Sequence, residues 1–174
     1  MTLRILGVDP GLRITGYGAI HCSGDGDAHV IEAGIITPDV AAPLERRLGQ
    51  LHAELCAVLE ASKPDVVVIE ELWSGYKNPT TAVLMGHARG VLCLAAHAQG
   101  LPVRHLVHSL VKRALVGSGS AGKDQVKRMV MQQLGLSTAP EPDDVSDALA
   151  LALAFANIER TEARLGKLGI ALSR

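Results

Sequence analysis

Four acidic residues carry the chemistry of this sequence: Asp9, Glu70, Asp144 and Asp147. Asp9 closes the apolar run Leu3–Asp9, where a charge is costly unless it has a partner. Glu70 sits at the end of a β-branched run, Asp65-Val-Val-Val-Ile-Glu-Glu71. Asp144 and Asp147 stand three apart in a helical segment and so share one helix face. Two strand ends and one helix face thus supply four oxygen donors, the donor set that hard divalent cations prefer. Ions held this way suit hydrolysis of a phosphodiester without a covalent intermediate. A pair of ions activates the water and stabilises the departing oxygen, and one carboxylate bridges them. Asp9 is the natural bridge, because its strand lies centrally. Each acid also has a plainer reading. Asp9 before Pro10 and Gly11 suits a turn, Glu70 suits an ion pair with an arginine, and Asp144 suits the first turn of a helix. Asp147 resists such a reading, since it precedes Ala-Leu-Ala-Leu in an otherwise apolar helix. Glu71 and Asp143 adjoin the chosen acids and compete with them; we place both outside the ion-binding set.

Bringing these acids together requires a sheet and a helix packed on it. Residues 14–20 and 29–36 are strand-like, and the Gly/Asp-rich 23–27 between them suits a hairpin turn. With Leu3–Asp9 they form an antiparallel meander. Leu44, Leu48, Leu51, Leu55 and Val58/Leu59 recur in steps of three and four, predicting an amphipathic helix over 43–62 with Pro43 in its first turn. The run 65–71 reads as a central strand buried on both faces. Asn78 and Pro79 cap and start a helix to about Gln99, which Gly100 ends. A short strand follows at 102–107, then a helix at 109–116, a flexible Gly/Ser loop at 117–122 and a helix at 123–134. The last helix spans about 143–159. The expected fold class is α/β, a mixed five-stranded sheet flanked by helices. It forms one domain over 1–160, followed by a polar C-terminal tail over 161–174.

Composition narrows the function classes. A hydrophobic content of 48% and a mean hydropathy of +0.23 argue against disorder. No apolar run reaches membrane-spanning length, and no basic segment followed by an apolar stretch opens the chain. The expectation is a cytoplasmic protein with no membrane partner. Cys22, Cys56 and Cys93 lie far apart in apolar segments and read as reduced thiols, and the seven histidines show no zinc-binding spacing. A net charge of −1 does not announce a nucleic-acid binder. Local charge says more. Arg104, Lys112, Arg113, Lys123, Lys127 and Arg128 face only Asp124 across 104–128, whereas 141–147 holds four acids and no base. A basic strip beside an acidic pocket suits a phosphodiester-cutting enzyme, and two solvated helix faces would have the same composition.

Longer motifs carry a resemblance. Ile5-Leu-Gly-Val-Asp-Pro-Gly-Leu-Arg-Ile-Thr-Gly-Tyr-Gly18 resembles the opening of the RuvC family of bacterial Holliday-junction resolvases. The likeness continues at Val68-Ile-Glu-Glu-Leu-Trp73, Gly86-His-Ala-Arg-Gly90, Val111–Val126 and Asp144-Val-Ser-Asp-Ala-Leu-Ala150, in order, over roughly residues 3–155. It implies a ribonuclease H-like fold with metal-binding acids at Asp9, Glu70, Asp144 and Asp147; some members carry His where Asp144 stands. It also implies two Mg²⁺ ions per site, with Mn²⁺ able to substitute, and resolution of four-way DNA junctions by paired symmetric nicks in recombination and repair. The implied assembly is a homodimer working with the branch-migration proteins RuvA and RuvB. The segment around Gly86 and Gly90 resembles the family's interface helix, although glycines four apart equally suit packing on the chain's own sheet. Lys123 matches a catalytic or phosphate-contacting lysine, and Gly122 replaces a larger residue there, an expectation of a looser loop. DNA contacts are implied for Trp73, Tyr76, Lys112, Arg113 and Lys123. The chain has four Phe, Tyr or Trp residues, and Trp73 and Tyr76 share one polar loop. A ring there can stack on an unpaired base, worth about 1–3 kcal/mol. Other readings are a related nuclease acting on hybrid or differently branched nucleic acid, a non-catalytic junction binder, and an actin-like ATPase. For the last, Asp9-Pro-Gly with Gly16 is only superficially a phosphate loop, and 174 residues leave no room for a second lobe.

Overall fold

Strand-forming and helix-forming segments alternate much as their apolar spacing predicts. The computed structural model describes residues 2–24, 26–71 and 78–167. Among these, the elements run β1 (Leu3–Asp9), β2 (Thr15–Cys22), β3 (Ala28–Ile36), α1 (Leu44–Ser62), β4 (Val66–Glu70), α2 (Pro79–Ala98), β5 (Val103–Leu106), α3 (His108–Val116), α4 (Lys123–Leu134) and α5 (Asp143–Lys167). The strands form one sheet in the order β3-β2-β1-β4-β5. The first three pair antiparallel, while β1–β4 and β4–β5 are parallel, so the sheet is mixed with β1 at its centre.

Both faces are covered. On one, Leu6, Val8, Val67 and Ile69 pack with α1 and α2 through Leu51, Leu55, Leu59 and Leu92. On the other, Ile5, Ile20, Val66 and Val68 pack with α3, α4 and α5. Successive residues of β4 from Val66 to Ile69 alternate between these layers and are all buried. That is why its sequence is continuously apolar rather than alternating. From Ala148 to Ala156 α5 is buried on every side, because the sheet lies beneath it and α3 and α4 lie against it. Asn78 caps α2, its Oδ1 accepting from the Thr80 amide at 2.9 Å, with Pro79 opening the helix. No helix among the described residues is long and apolar enough to cross a membrane.

One boundary differs markedly. The last helix does not stop near Glu159 but runs to Lys167, so the opening residues of the expected tail belong to it. Residues 160–165 are mostly strong helix formers without a breaker. The fading apolar pattern marks where the helix leaves the core, not where it ends.

Candidate active site

Asp9 and Glu70 reach the same place because their strands are parallel neighbours. The β1–β4 register pairs Val8 with Ile69, so the next residues, Asp9 and Glu70, end side by side. Alternation turns both toward the face that α5 covers, as Ile5, Val66 and Val68 do.

α5 then comes down onto bare backbone. A Cβ on Gly7 would lie 2.0 Å from the Ala148 carbonyl oxygen, and one on Gly16 would lie 2.0 Å from the Asp144 carbonyl oxygen. Neither distance is possible for a real side chain. The β1–β2 register sets Gly16 opposite Asp9 and Gly18 opposite Gly7, so the missing side chains form one patch beside the Asp9 strand end. The first turns of α5 rest on that patch, which brings Asp144 and Asp147 to Asp9.

The four acids form one electrostatic group. Burial, then the charges of Glu70 and Asp147, a hydrogen bond with Glu70 and the charge of Asp144 push the Asp9 carboxyl up to about 8. Cations lie alongside. Lys123 Nζ is 3.0 Å from Asp143 Oδ2 and 3.1 Å from Asp147 Oδ2, and Lys127 pairs with the other oxygen of Asp143. Burial works against the Lys123 charge, but the hydrogen bonds to Asp143 and Asp147 outweigh it and hold its pKa above the usual lysine value. Hydrogen bonds from Lys127 and Lys123 hold Asp143 below the usual carboxylate range. Glu70 Oε1 lies 3.0 Å from His108 Nδ1. Glu70 also has an arginine, though not as an ion pair. Arg89 Nε donates to the Glu70 backbone carbonyl at 3.0 Å, and Arg89 Nη2 lies 2.7 Å from His105 Nδ1. Burial and the Arg89 charge hold His105 below the usual imidazole range, and Nδ1 accepts because a guanidinium can only donate.

The structure thus brings together Asp9, Glu70, Asp144, Asp147 and Lys123. Lys112 joins them, lining a small cleft with Glu70, His108, Lys123 and Asp147 over a floor that includes Val111 and Leu151. Arg113 does not: it lines a separate groove between α3 and α5 with Asn157 and Ile158. Trp73 and Tyr76 lie outside the described residues. Gly122 is tied down by its amide, which donates to Gln125 Oε1 at 3.0 Å, so α4 starts firmly at Lys123. Asp143, placed outside the ion-binding set, anchors both lysines. Sequence reasoning missed two participants: Arg89 grips the end of β4, and His108 meets Glu70. Only His108 left a usable signal: it follows a strand parallel to β4, and residues just past such strand ends gather at sites.

As the side chains stand, no three His, Cys, Asp or Glu residues among those described are arranged to clasp an ion together. Lys123 and His108 occupy Asp147 and Glu70 instead. The donor set nevertheless fits a hard divalent cation: oxygen ligands, like charges converging, and a buried acid that is costly to ionise without a counter-charge.

A mixed five-stranded sheet with acids converging at its central strand ends defines a ribonuclease H-like nuclease fold. The family model described as crossover junction endodeoxyribonuclease RuvC matches residues 5–155, and the chain belongs to that family. A relative of that name from Rhodopirellula baltica is 45% identical over 149 residues, 86% of this chain and 83% of that protein. Another, from Rhodospirillum rubrum, is 41% identical over 172 residues, 99% of this chain and 97% of that one. Among solved structures, Thermus thermophilus RuvC superposes with a TM-score of 0.84 at 34% identity, covering 95% of this chain and 97% of that one. The same protein in complex with Holliday junction substrate gives 0.83 at 32% identity, covering 92% and 96%. The yeast mitochondrial resolvase Ydc2, at 13% identity and a TM-score of 0.70, shares the fold.

Proposed function

We propose that the chain is a metal-dependent endonuclease that resolves four-way DNA junctions by paired symmetric nicks. The observation that carries the chemistry is the convergence of Glu70, Asp144 and Asp147 on Asp9, whose carboxyl is pushed up to about 8. Membership of the RuvC family carries the substrate. Asp9, Glu70, Asp144 and Asp147 would hold two Mg²⁺ ions, with Mn²⁺ able to substitute and Asp9 shared between them. When bound, such ions supply an activated water and neutralise charge at the departing oxygen. Lys123, at the start of α4, is the proposed catalytic lysine. Its contact with Asp147 keeps an ammonium at the cleft mouth, from which it can pass to the scissile phosphate. Lys112, Arg113, Trp73 and Tyr76 are the proposed DNA contacts. Lys112 lines the cleft, which supports a phosphate contact there, and Arg113 lines a separate groove, which supports contact with a different stretch of backbone.

A symmetric cut needs two sites, and α2 offers the surface for a homodimer. Val83 (59% exposed) and Leu94 (57% exposed) flank exposed His87 and Gly90 on one face of that helix, at spacings of four, three and four. Among the described residues a Cβ on Gly90 would meet nothing within 4 Å, so this glycine does not serve packing on the chain's own sheet. A twofold dimer presents equivalent sites to opposite strands of a junction. Leu94→Glu is expected to give monomers by sedimentation, to leave folding stability within about 0.5 kcal/mol, and to turn paired cuts into single nicks. A dimeric Leu94→Glu protein places the interface elsewhere. Work with RuvA and RuvB, and a cytoplasmic setting in which Cys22, Cys56 and Cys93 stay free thiols, belong to the same proposal.

The test compares a synthetic four-way junction, linear duplex and an RNA–DNA hybrid, each with and without Mg²⁺. The expected result is symmetric cutting of the junction alone, only with metal. Degraded hybrid beside an intact junction overturns the proposal.

A further inference from the structure

His108 opens α3 just beyond β5, and the β4–β5 register pairs Glu70 with Leu106. The imidazole therefore arrives beside the Glu70 carboxylate, with Nδ1 3.0 Å from Oε1. The His108 side chain is 62% exposed and that of Glu70 28%, so the pair faces the cleft and is open to ions from solvent.

We propose that His108 is a fifth metal donor, joining Glu70 on one divalent ion and biasing that ion's site toward metals that accept nitrogen. The inference rests on the metal-binding reading of the acids. Spacing is its first support. Nδ1 and Oε1 stand 3.0 Å apart at the edge of the cleft, close enough for one ion to reach both. Chemistry is the second. Carboxylates bind Mg²⁺ and transition ions alike, whereas an imidazole adds affinity for a transition ion that Mg²⁺ scarcely gains. Access is the third: Lys123 is engaged by Asp143 and Asp147, and among the described residues neither it nor Lys112, which lines the same cleft, pairs with Glu70.

The competing role is orientation, with His108 only donating a hydrogen bond that aims Glu70. The two roles differ in metal dependence, because a misaimed carboxylate weakens all ions alike. Calorimetric titration of the DNA-free protein with Mg²⁺, Mn²⁺ and Co²⁺ separates them. His108→Ala is expected to weaken Co²⁺ binding by roughly tenfold or more. Mn²⁺ should lose less than Co²⁺, and Mg²⁺ should stay within about twofold. His108→Gln, which can still donate to Glu70, should not restore Co²⁺. Pulsed electron paramagnetic resonance of bound Mn²⁺ should show coupling to a directly bound nitrogen, lost in His108→Ala. Equal losses for all three ions with rescue by glutamine, unchanged Co²⁺ affinity, or no nitrogen coupling each overturn the inference. Failure of the underlying reading looks different: wild type would bind no ion, or Asp9→Asn would bind as wild type does.

Discussion

Asp9→Asn is expected to stop junction cutting while making the metal-free fold more stable. The loss of cutting should be at least about a hundredfold, the scale of removing one fixed electrostatic stabiliser. Junction binding should persist, because the cations proposed to meet phosphate are untouched. The gain in stability follows from the direction of the pKa shift. The Asp9 carboxyl ionises near 3.8 in an unfolded chain and at about 8 in the fold. Between those values the native state retains a proton that the unfolded state has lost, so stability falls as pH rises through that window. Asparagine has no proton to lose. The variant's advantage should therefore be small near pH 4, grow steadily, and level off above pH 8. We expect roughly 1–2 kcal/mol there, or about 3–6 °C for a chain of this size. Thermal unfolding in chelator at pH 5 and pH 8.5 reads this directly. Saturating metal should reverse the order, since an ion bound only to the native wild type adds about 2.7 kcal/mol at a hundredfold excess over its Kd. An asparagine variant that still cuts, or an advantage that does not change with pH, removes Asp9 from the centre of the site.

The second large effect concerns a residue with no side chain. Gly7→Ala places a methyl group where the Ala148 carbonyl oxygen already is, 2.0 Å away, with the Ala152 amide nitrogen at 2.9 Å. Both are helix backbone, so α5 must lift as a body. The expected cost exceeds about 3 kcal/mol, beyond the usual range for overpacking. Because Asp144 and Asp147 ride on the same helix, metal binding and cutting should fall with it even in protein that remains folded. Gly49→Ala is the matched control. Gly49 is exposed inside α1, and among the described residues an added Cβ meets nothing within 4 Å. The same chemical change there should stabilise by about 0.5–1 kcal/mol. Equal unfolding midpoints for the two variants overturn the close-packing argument.

Much of this architecture was legible because it follows from periodicity. Val66 to Ile69 are apolar on both faces because both faces are covered, and the spacing from Leu44 to Leu59 can be read without coordinates. Asp9 and Glu70 stood out because a charge closing an apolar strand needs a reason. What stayed hidden depends on distances across the fold. Nothing local separates Asp143 from Asp144; the difference arises because Lys123 and Lys127, on α4, reach only the first from their side. Gly7 and Gly16 look like ordinary strand glycines until α5 is placed on them. Arg113 and Lys112 are neighbours in sequence, yet helical rotation sends one to the outer groove and the other to the cleft.

The docking of α5 on its glycine patch has a consequence in time as well as in space. This helix supplies two of the four acids and a large share of one core layer, from Val145 to Ala156. Burying its apolar face and assembling the site are therefore a single event. A partly synthesised chain that has made the whole sheet but not yet α5 holds Asp9 and Glu70 without Asp144 and Asp147. If the four acids are the metal site proposed above, such a chain has only half of it and is not yet able to cut DNA.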